Sequence, residues 1–375
     1  MFLKCSNRFG YPASMDEPLP AMPVKGRGAV SNPAGRFEAE SRHAVDDGWD
    51  LDEDLPPPRT TVTEDTCRTI ISWNESPDLG FDRSINPYRG CEHGCVYCYA
   101  RPTHAFLGLS PGLDFETRLF AKSDAPALLE SELRKPSYRC RTIMLGANTD
   151  PYQPIERHRM ITRRILQVLA AFNHPVAVAT KSALVRRDID ILAPMAAKGL
   201  ASVGVSITTL DRALARTLEP RAATPAKRLE TIRALSDAGI PTHVMAAPMI
   251  PFLNDAELER ILEAAAGAGA AGANYILLRL PLELKGLFTE WLETHAPGKA
   301  RHVLNQLRES RDGMLYVSDF ATRMHGTGVH ADLLARRFRL ACKRWGLENA
   351  RAAGRGLDRT QFQPPPRAGD QLALF

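Results

Sequence analysis

The sequence predicts an α/β protein, a partial (βα)6 barrel of the TIM type with a helical C-terminal extension and a poorly ordered N-terminal arm. Three observations predict it. From residue 70 onward, short β-like apolar runs alternate with amphipathic helical stretches, and strands alternating with helices make βαβ units and a parallel sheet. About six such units follow one another, and right-handed crossovers curl them into an open or closed barrel. Gly199 and Gly239 stand just past two of the helical stretches, where a left-handed C-cap belongs.

Residues 1–60 form the N-terminal arm. Prolines and glycines are frequent there and periodicity is absent, which reads as a flexible tail or a wrapping extension. An acidic run from Asp46 to Asp54 leads into Pro56-Pro57-Pro58 and reads as a solvated segment. The barrel core is expected over 70–285. Its strands are expected at 83–88, 142–147, 176–180, 201–207, 242–247 and 274–280. Its helices are expected at 125–134, 158–172, 188–198, 224–238 and 255–266. Residues 286–352 read as a helical extension containing a basic amphipathic helix over 331–349. Leu333, Leu334, Phe338, Ala341 and Trp345 lie along one side of it. Residues 353–375 read as a flexible, proline-containing tail.

The 375 residues are 44% apolar and 24% charged, with a net charge of +5. This supports a globular core and excludes a mainly disordered chain. The mild positive charge is compatible with an anionic partner without pointing to one. The N-terminus lacks the apolar run of a signal peptide, and the alanine-rich stretch 262–273 is interrupted by three glycines. The expectation is a soluble, cytoplasmic protein with no membrane partner.

Seven cysteines are an odd number, and three of them crowd into one loop, Cys91-Glu-His-Gly-Cys95-Val-Tyr-Cys98. That is metal-ligand usage rather than a disulfide framework. The loop follows the first core strand, at the end of the barrel where functional residues belong. Structural zinc usually takes four protein ligands, and ordinary ferredoxin-type clusters take four cysteines. No fourth cysteine lies nearby. His93 as a fourth zinc ligand would stand two residues from both Cys91 and Cys95, a poor tetrahedral geometry. Three thiolates on a 4Fe–4S cluster instead leave one iron open to a substrate or cofactor. Gly90 and Gly94 permit the tight backbone such a loop needs.

With Tyr97 just before the last cysteine, the motif resembles the radical S-adenosylmethionine superfamily, and the resemblance covers roughly residues 80–285. It is most similar to spore photoproduct lyase-like proteins, through Asn86-Pro-Tyr-Arg-Gly-Cys-Glu-His-Gly-Cys-Val-Tyr-Cys-Tyr-Ala-Arg101. The resemblance implies a 4Fe–4S cluster on Cys91, Cys95 and Cys98, with S-adenosylmethionine chelated to the open iron. It implies reductive cleavage to a 5′-deoxyadenosyl radical, fed by a low-potential donor of the flavodoxin or ferredoxin type. It also implies cofactor contacts. Tyr97 would lie near the adenine, and Thr149 and Asp150 would accept from the ammonium. Lys181 and Arg221 would meet the carboxylate, and Ser206 and Glu219 would bond the ribose hydroxyls. One position departs from the lyases: they place a hydrogen-donating cysteine two residues before the Thr149–Asp150 pair, and here that residue is Ala147. No catalytic side chain is assigned. The substrate stays open, with a nucleic-acid base or nucleotide expected by analogy.

Gln371-Leu-Ala-Leu-Phe375 resembles the short peptide by which bacterial polymerases and repair factors dock on the DNA sliding clamp. That implies a clamp partner and recruitment to DNA. The competing reading is a non-enzymatic, metal-stapled adaptor that bridges the clamp to another factor. The basic helix, and Arg157, Arg159, Arg163 and Arg164, are placed to meet phosphates or simply to form a solvated cationic face. His325-Gly-Thr-Gly-Val-His330 lacks the Gly-Lys-Ser/Thr ending of a phosphate loop and reads as a turn before the helix.

Overall fold

A computed structural model describes residues 23–38, 58–349 and 356–366, except the side chains of Glu348 and Asn349. The core opens with β1 (Thr61–Glu64), β2 (Ile71–Trp73), β3 (Arg83–Ile85) and β4 (Tyr88–Arg89). A short α1 (Asp114–Thr117) precedes β5 (Arg118–Ala121), and α2 (Ala125–Leu133) leads to β6 (Ile143–Leu145). Helices α3 (Glu156–Arg159) and α4 (Ile161–Ala171) lead to β7 (Val176–Thr180), and α5 (Ile189–Ala197) leads to β8 (Ala201–Ser206). Then α6 (Arg212–Leu218) and α7 (Pro225–Asp237) precede β9 (Thr242–Met249), and α8 (Leu258–Gly267) precedes β10 (Gly272–Leu277). The C-terminal part holds α9 (Leu284–His295), α10 (Pro297–Glu309), α11 (Gly328–Trp345) and β11 (Glu348–Asn349).

Strands β3, β6, β7, β8, β9 and β10 are hydrogen-bonded neighbours in that order and all parallel. This is the expected six-unit parallel core. β2 adds an antiparallel edge beside β3, and β11 pairs in parallel with β10 at the other edge. A second, three-stranded sheet has the order β1-β5-β4.

Alternation along the strands separates two faces. Ile143, Leu145, Val176, Val203, Val205, Val244 and Ala246 belong to the main apolar core. Their neighbours Met144, Ala177, Ala179, Ser202, Gly204 and Met245 line a central cavity. Most of these lumen residues are small, so the interior stays open where a closed barrel would be filled by bulky branched side chains. Among the described residues no helix is long and apolar enough to cross a membrane.

Several elements differ from expectation for local reasons. The strand expected over 83–88 divides at Asn86-Pro87, because proline has no N–H to give a sheet. β3 stays in the large sheet and β4 joins the small one. The helix expected over 158–172 breaks at Met160, which sits in the left-handed region at φ 52°. Glu156 then caps the new start: its carboxylate accepts from Thr162 N at 3.0 Å and Arg163 N at 3.3 Å.

In the C-terminal extension, Phe288, Trp291, Leu292, Val303 and Leu307 build a separate apolar cluster under α9 and α10. Helix α11 packs on α8 through Leu334 and Ala341, and its Arg337 makes a bidentate pair with Glu259 at 2.7 and 2.6 Å. Leu333, expected on the apolar side, is 53% exposed.

Two segments expected to be loose are tied down where they are described. Residues 23–38 wrap behind the cysteine loop. Residues 356–366 form a strap over the helices, with Asp358 N donating to Gly199 O at 2.9 Å and Gln363 N to Phe172 O at 3.0 Å. The peptide Gln371–Phe375 and the acidic run 46–54 lie outside the described residues.

Candidate active site

The cysteine loop is built on glycine geometry. Gly90 and Gly94 adopt φ of +74° and +67°. A Cβ at Gly94 would stand 2.6 Å from Glu116 Oε2, so the position requires glycine on two grounds. Main-chain bonds fix the loop from three directions. Cys91 N donates to Phe115 O at 2.9 Å, Val96 N to Leu218 O at 3.0 Å, and Arg221 N to His93 O at 3.2 Å.

Beneath the loop, Arg101 is fully buried and donates to the carbonyls of Gly94, Cys95, Pro111 and Gly112 at 2.8–3.1 Å. Its charge is met by Glu116 at 2.5 Å. Glu116 in turn accepts from Gly28 N at 3.0 Å and Ala29 N at 2.8 Å. The N-terminal arm is therefore part of the loop's support, and a Cβ on Gly28 would fall 1.8 Å from Gly94 O.

Cys91 and Cys95 are buried and Cys98 is partly buried. All three border a cavity of about 610 Å³ at the C-terminal ends of the parallel strands. Burial pushes the Cys91 thiol well above its ordinary pKa and the Cys95 thiol up to about 12. Such thiols ionise when a metal centre supplies the compensating charge. Among the described residues no three His, Cys, Asp or Glu side chains gather tightly enough for a single metal ion. All three thiols border the same cavity, which has room for a group larger than a single ion. His93, the candidate fourth zinc ligand, instead places Nδ1 3.2 Å from Asp150 Oδ2.

The strand ends bring five of the seven expected cofactor contacts to the same cavity: Tyr97, Thr149, Asp150, Lys181 and Ser206. Asn86 Oδ1 holds the turn after β6 by accepting from Asn148 N at 2.8 Å and Thr149 N at 3.3 Å. Asp150 accepts from Thr180 Oγ1 and Lys181 N, each at 2.7 Å. Burial pushes its carboxyl upward, but His93 and these hydrogen bonds outweigh that and hold it at about 2. Thr149 Oγ1 is buried with no partner in the protein. A buried hydroxyl without a partner costs free energy, and a ligand's polar group in the cavity would satisfy it. The Lys181 ammonium sits 5.7 Å from the Tyr97 ring centroid, and among the described residues it has no carboxylate paired with it. Ser206 ends β8 and donates to Ala247 O at 3.2 Å.

Glu219 and Arg221 stand behind the cavity wall. Glu219 bonds the Tyr97 hydroxyl, Thr208 and Arg228; burial pushes its carboxyl upward, but the charges of Arg228 and Lys181 and the Arg228 and Thr208 hydrogen bonds outweigh that and hold it at about 2. It anchors the Tyr97 hydroxyl. Arg221 pairs with Glu92 at 3.1 Å on the outer side of the loop. Neither is among the residues that line the cavity in this structure. Ala147 does line the cavity, and its carbonyl accepts from the Tyr99 hydroxyl.

A parallel α/β core with three cavity-facing thiols after its first strand defines a class of cofactor-dependent protein, and similarity assigns it. The family model described as "Radical SAM superfamily" matches residues 85–265. A Mycobacterium tuberculosis protein, itself uncharacterized, is 40% identical over 242 residues, spanning 63% of this chain and 71% of that one. A Methanocaldococcus jannaschii protein, also uncharacterized, is 29% identical over 173 residues, spanning 46% of this chain and 62% of that one. The chain belongs to the radical SAM superfamily. Among solved structures it is similar to spore photoproduct lyase complexed with dinucleoside spore photoproduct. The TM-score is 0.53 and the identity 17%, over 76% of this chain and 80% of that one. At that identity the likeness is one of fold.

Proposed function

We propose that this protein is a radical S-adenosylmethionine enzyme whose cluster is held by Cys91, Cys95 and Cys98. The observation that carries the reading is the set of three thiols bordering one cavity at the strand ends, beside an unpartnered Thr149 hydroxyl and the Lys181 ammonium. These residues suit the group in donor chemistry and space, since small-molecule sites of this kind occupy about 300–1,000 Å³. With the cluster and S-adenosylmethionine bound, the pair would supply one-electron reductive cleavage of a carbon–sulfur bond of the sulfonium and, through it, hydrogen abstraction from substrate.

The chain's own side chains orient and shield. Asp150 and Thr149 accept from the cofactor ammonium, Lys181 meets its carboxylate, and Ser206 bonds a ribose hydroxyl. Tyr97 is fixed from below by Glu219 and presents its ring to the cavity. The apolar lining excludes water and protects a reactive carbon radical. A structural neighbour was solved with bound AdoMet and dinucleoside spore photoproduct, which favours a nucleic-acid base or nucleotide as the substrate class. Ala147 supplies no thiol hydrogen, so the lyase reaction itself is not assigned. An acidic flavodoxin- or ferredoxin-type donor supplies the electron, and Gln371–Phe375 is proposed to dock on the sliding clamp.

Anaerobic reconstitution tests this. The expected result is about four irons per chain and dithionite-dependent 5′-deoxyadenosine, at a rate changed by adding DNA or nucleotides. A colourless, zinc-replete protein that leaves S-adenosylmethionine intact would favour the adaptor instead.

A further inference from the structure

One wall of the cavity holds more positive charge than the cofactor reading uses. Arg279 lies two residues past β10 and lines the cavity with Arg323, Met324, Asp78 and Tyr99. Arg323 is neutralised by a bidentate pair with Asp78 at 2.6 and 2.7 Å. Behind both, Arg311 is 2% exposed and donates to the carbonyls of Leu278 at 2.7 Å and Arg323 at 3.1 Å. Three guanidiniums thus share one wall, and among the described residues Asp78 is the carboxylate paired there.

Arg279 is the cation left over. Its guanidinium sits 5.4 Å from the Tyr99 ring centroid, its Nη1 lies 3.3 Å from the weak acceptor Met324 Sδ, and its Nε is buried with no partner. Asp78 feels the Arg279 charge but gives its hydrogen bonds to Arg323, and a partly buried guanidinium whose N–H donors lack an oxyanion partner is costly. A fork of N–H donors with open valence is also the group best suited to bind one. S-adenosylmethionine brings a single carboxylate, which the proposed reading gives to Lys181.

We infer that Arg279 forms an anion subsite for the substrate, so that the substrate of this enzyme carries a phosphate ester or a carboxylate that docks on the β10 wall beside Tyr99. The inference rests on the cofactor assignment above and deepens it. Asp78 and Arg311 are positioning residues: Asp78 keeps Arg323 off the incoming anion, and Arg311 holds the chain carrying both cavity arginines.

The test is residue-resolved modification by phenylglyoxal of the reconstituted full-length chain, held anaerobic and read by mass spectrometry. Modification is followed alone, with inorganic phosphate, with acetate, and with S-adenosylmethionine. The expected result is that Arg279 is modified in the free protein and protected at least tenfold by phosphate or acetate, while exposed Arg212 reacts equally in every arm. Protection by phosphate assigns an ester, and protection by acetate a carboxylate. An Arg279 that does not react, that reacts at one rate in all arms, or that is shielded by S-adenosylmethionine and by neither anion overturns the inference. 5′-Deoxyadenosine is measured separately on the same preparation, so failure of the cofactor reading is seen independently of Arg279.

Discussion

At Gly94 the backbone is left-handed and Glu116 closes over the space a side chain would need. Gly94→Ala therefore strains the loop twice and is expected to cost about 2 kcal/mol or more. Urea melts and iron counts after reconstitution check this, and unchanged stability with full iron would refute the account of the loop. Arg101 is tested by Arg101→Met. That change leaves Glu116 buried as an unpaired carboxylate, and breaking such a pair costs about 3–5 kcal/mol. Asp150→Asn keeps the shape of the strand end but removes the negative charge facing the proposed ammonium. The expected outcome is S-adenosylmethionine affinity reduced about tenfold or more, measured by equilibrium binding, with stability lowered by about 1–3 kcal/mol because the new amide NH2 faces donors that Asp150 accepts from. The motif cysteines were legible from their spacing, and Thr149, Asp150, Lys181 and Ser206 through the family resemblance, which places cofactor contacts at or just after the strand ends. Arg101, Glu116 and Arg279 were not, because a charged residue reads as surface until the fold shows it buried or lining a cavity.

Among the elements, the parallel strands were the easiest to read, since short apolar runs separated by amphipathic helical stretches leave little ambiguity. What was missed depends on tertiary context. β1 and β5 form a parallel pair across more than fifty residues of chain, so neither segment signals the other. Helix α6 is short and starts with an Asp211 side-chain cap rather than with a strong apolar period.

The 356–366 strap is the clearest case. Its sequence is polar and proline-containing, yet Phe362 enters an aromatic pocket with Tyr138, Phe172 and His174 at centroid distances of 5.5, 6.3 and 5.4 Å. Removing it by Phe362→Ala is expected to cost about 1–3 kcal/mol.

His174 gives this region a pH signature. Its Nδ1–H donates to Pro175 O at 3.0 Å, and its Nε2 accepts from the Tyr138 hydroxyl at 2.7 Å. Burial lowers its pKa to about 4. The unfolded chain takes up this proton below about pH 6.5 and the folded chain only below about 4. The contribution is therefore intact above pH 6.5 and is lost as pH falls toward 4. Between pH 7 and pH 5 the loss is about 2 kcal/mol. Denaturant melts of wild type and His174→Asn at the two pH values check it; the variant is expected to show a flatter dependence.

Over the whole molecule, much of the surface charge is engaged within the fold. Of the arginines that read either as phosphate contacts or as a solvated cationic face, Arg163 pairs with Asp188 and Asp190 at 2.8 and 2.6 Å, and Arg159 pairs with Glu64. Arg337 of the basic helix is taken by Glu259. Among the described residues, Lys181 and Arg279 stand at the cavity without an ion pair to a carboxylate, and the proposed function places the working charge there. The wrapping arm gives the fold a second global feature: it links residues 28–29 to the cysteine loop through Glu116, so loss of the arm should weaken cluster assembly before it unfolds the barrel. The central claim, however, concerns the three thiols together. The measurement that tests it most directly is 5′-deoxyadenosine formed from S-adenosylmethionine under dithionite, with wild type compared against Cys91→Ala, Cys95→Ala and Cys98→Ala. The account predicts product from wild type and none above background from each variant. Product at wild-type level from any one of them, or none from an iron-replete wild type, would contradict it.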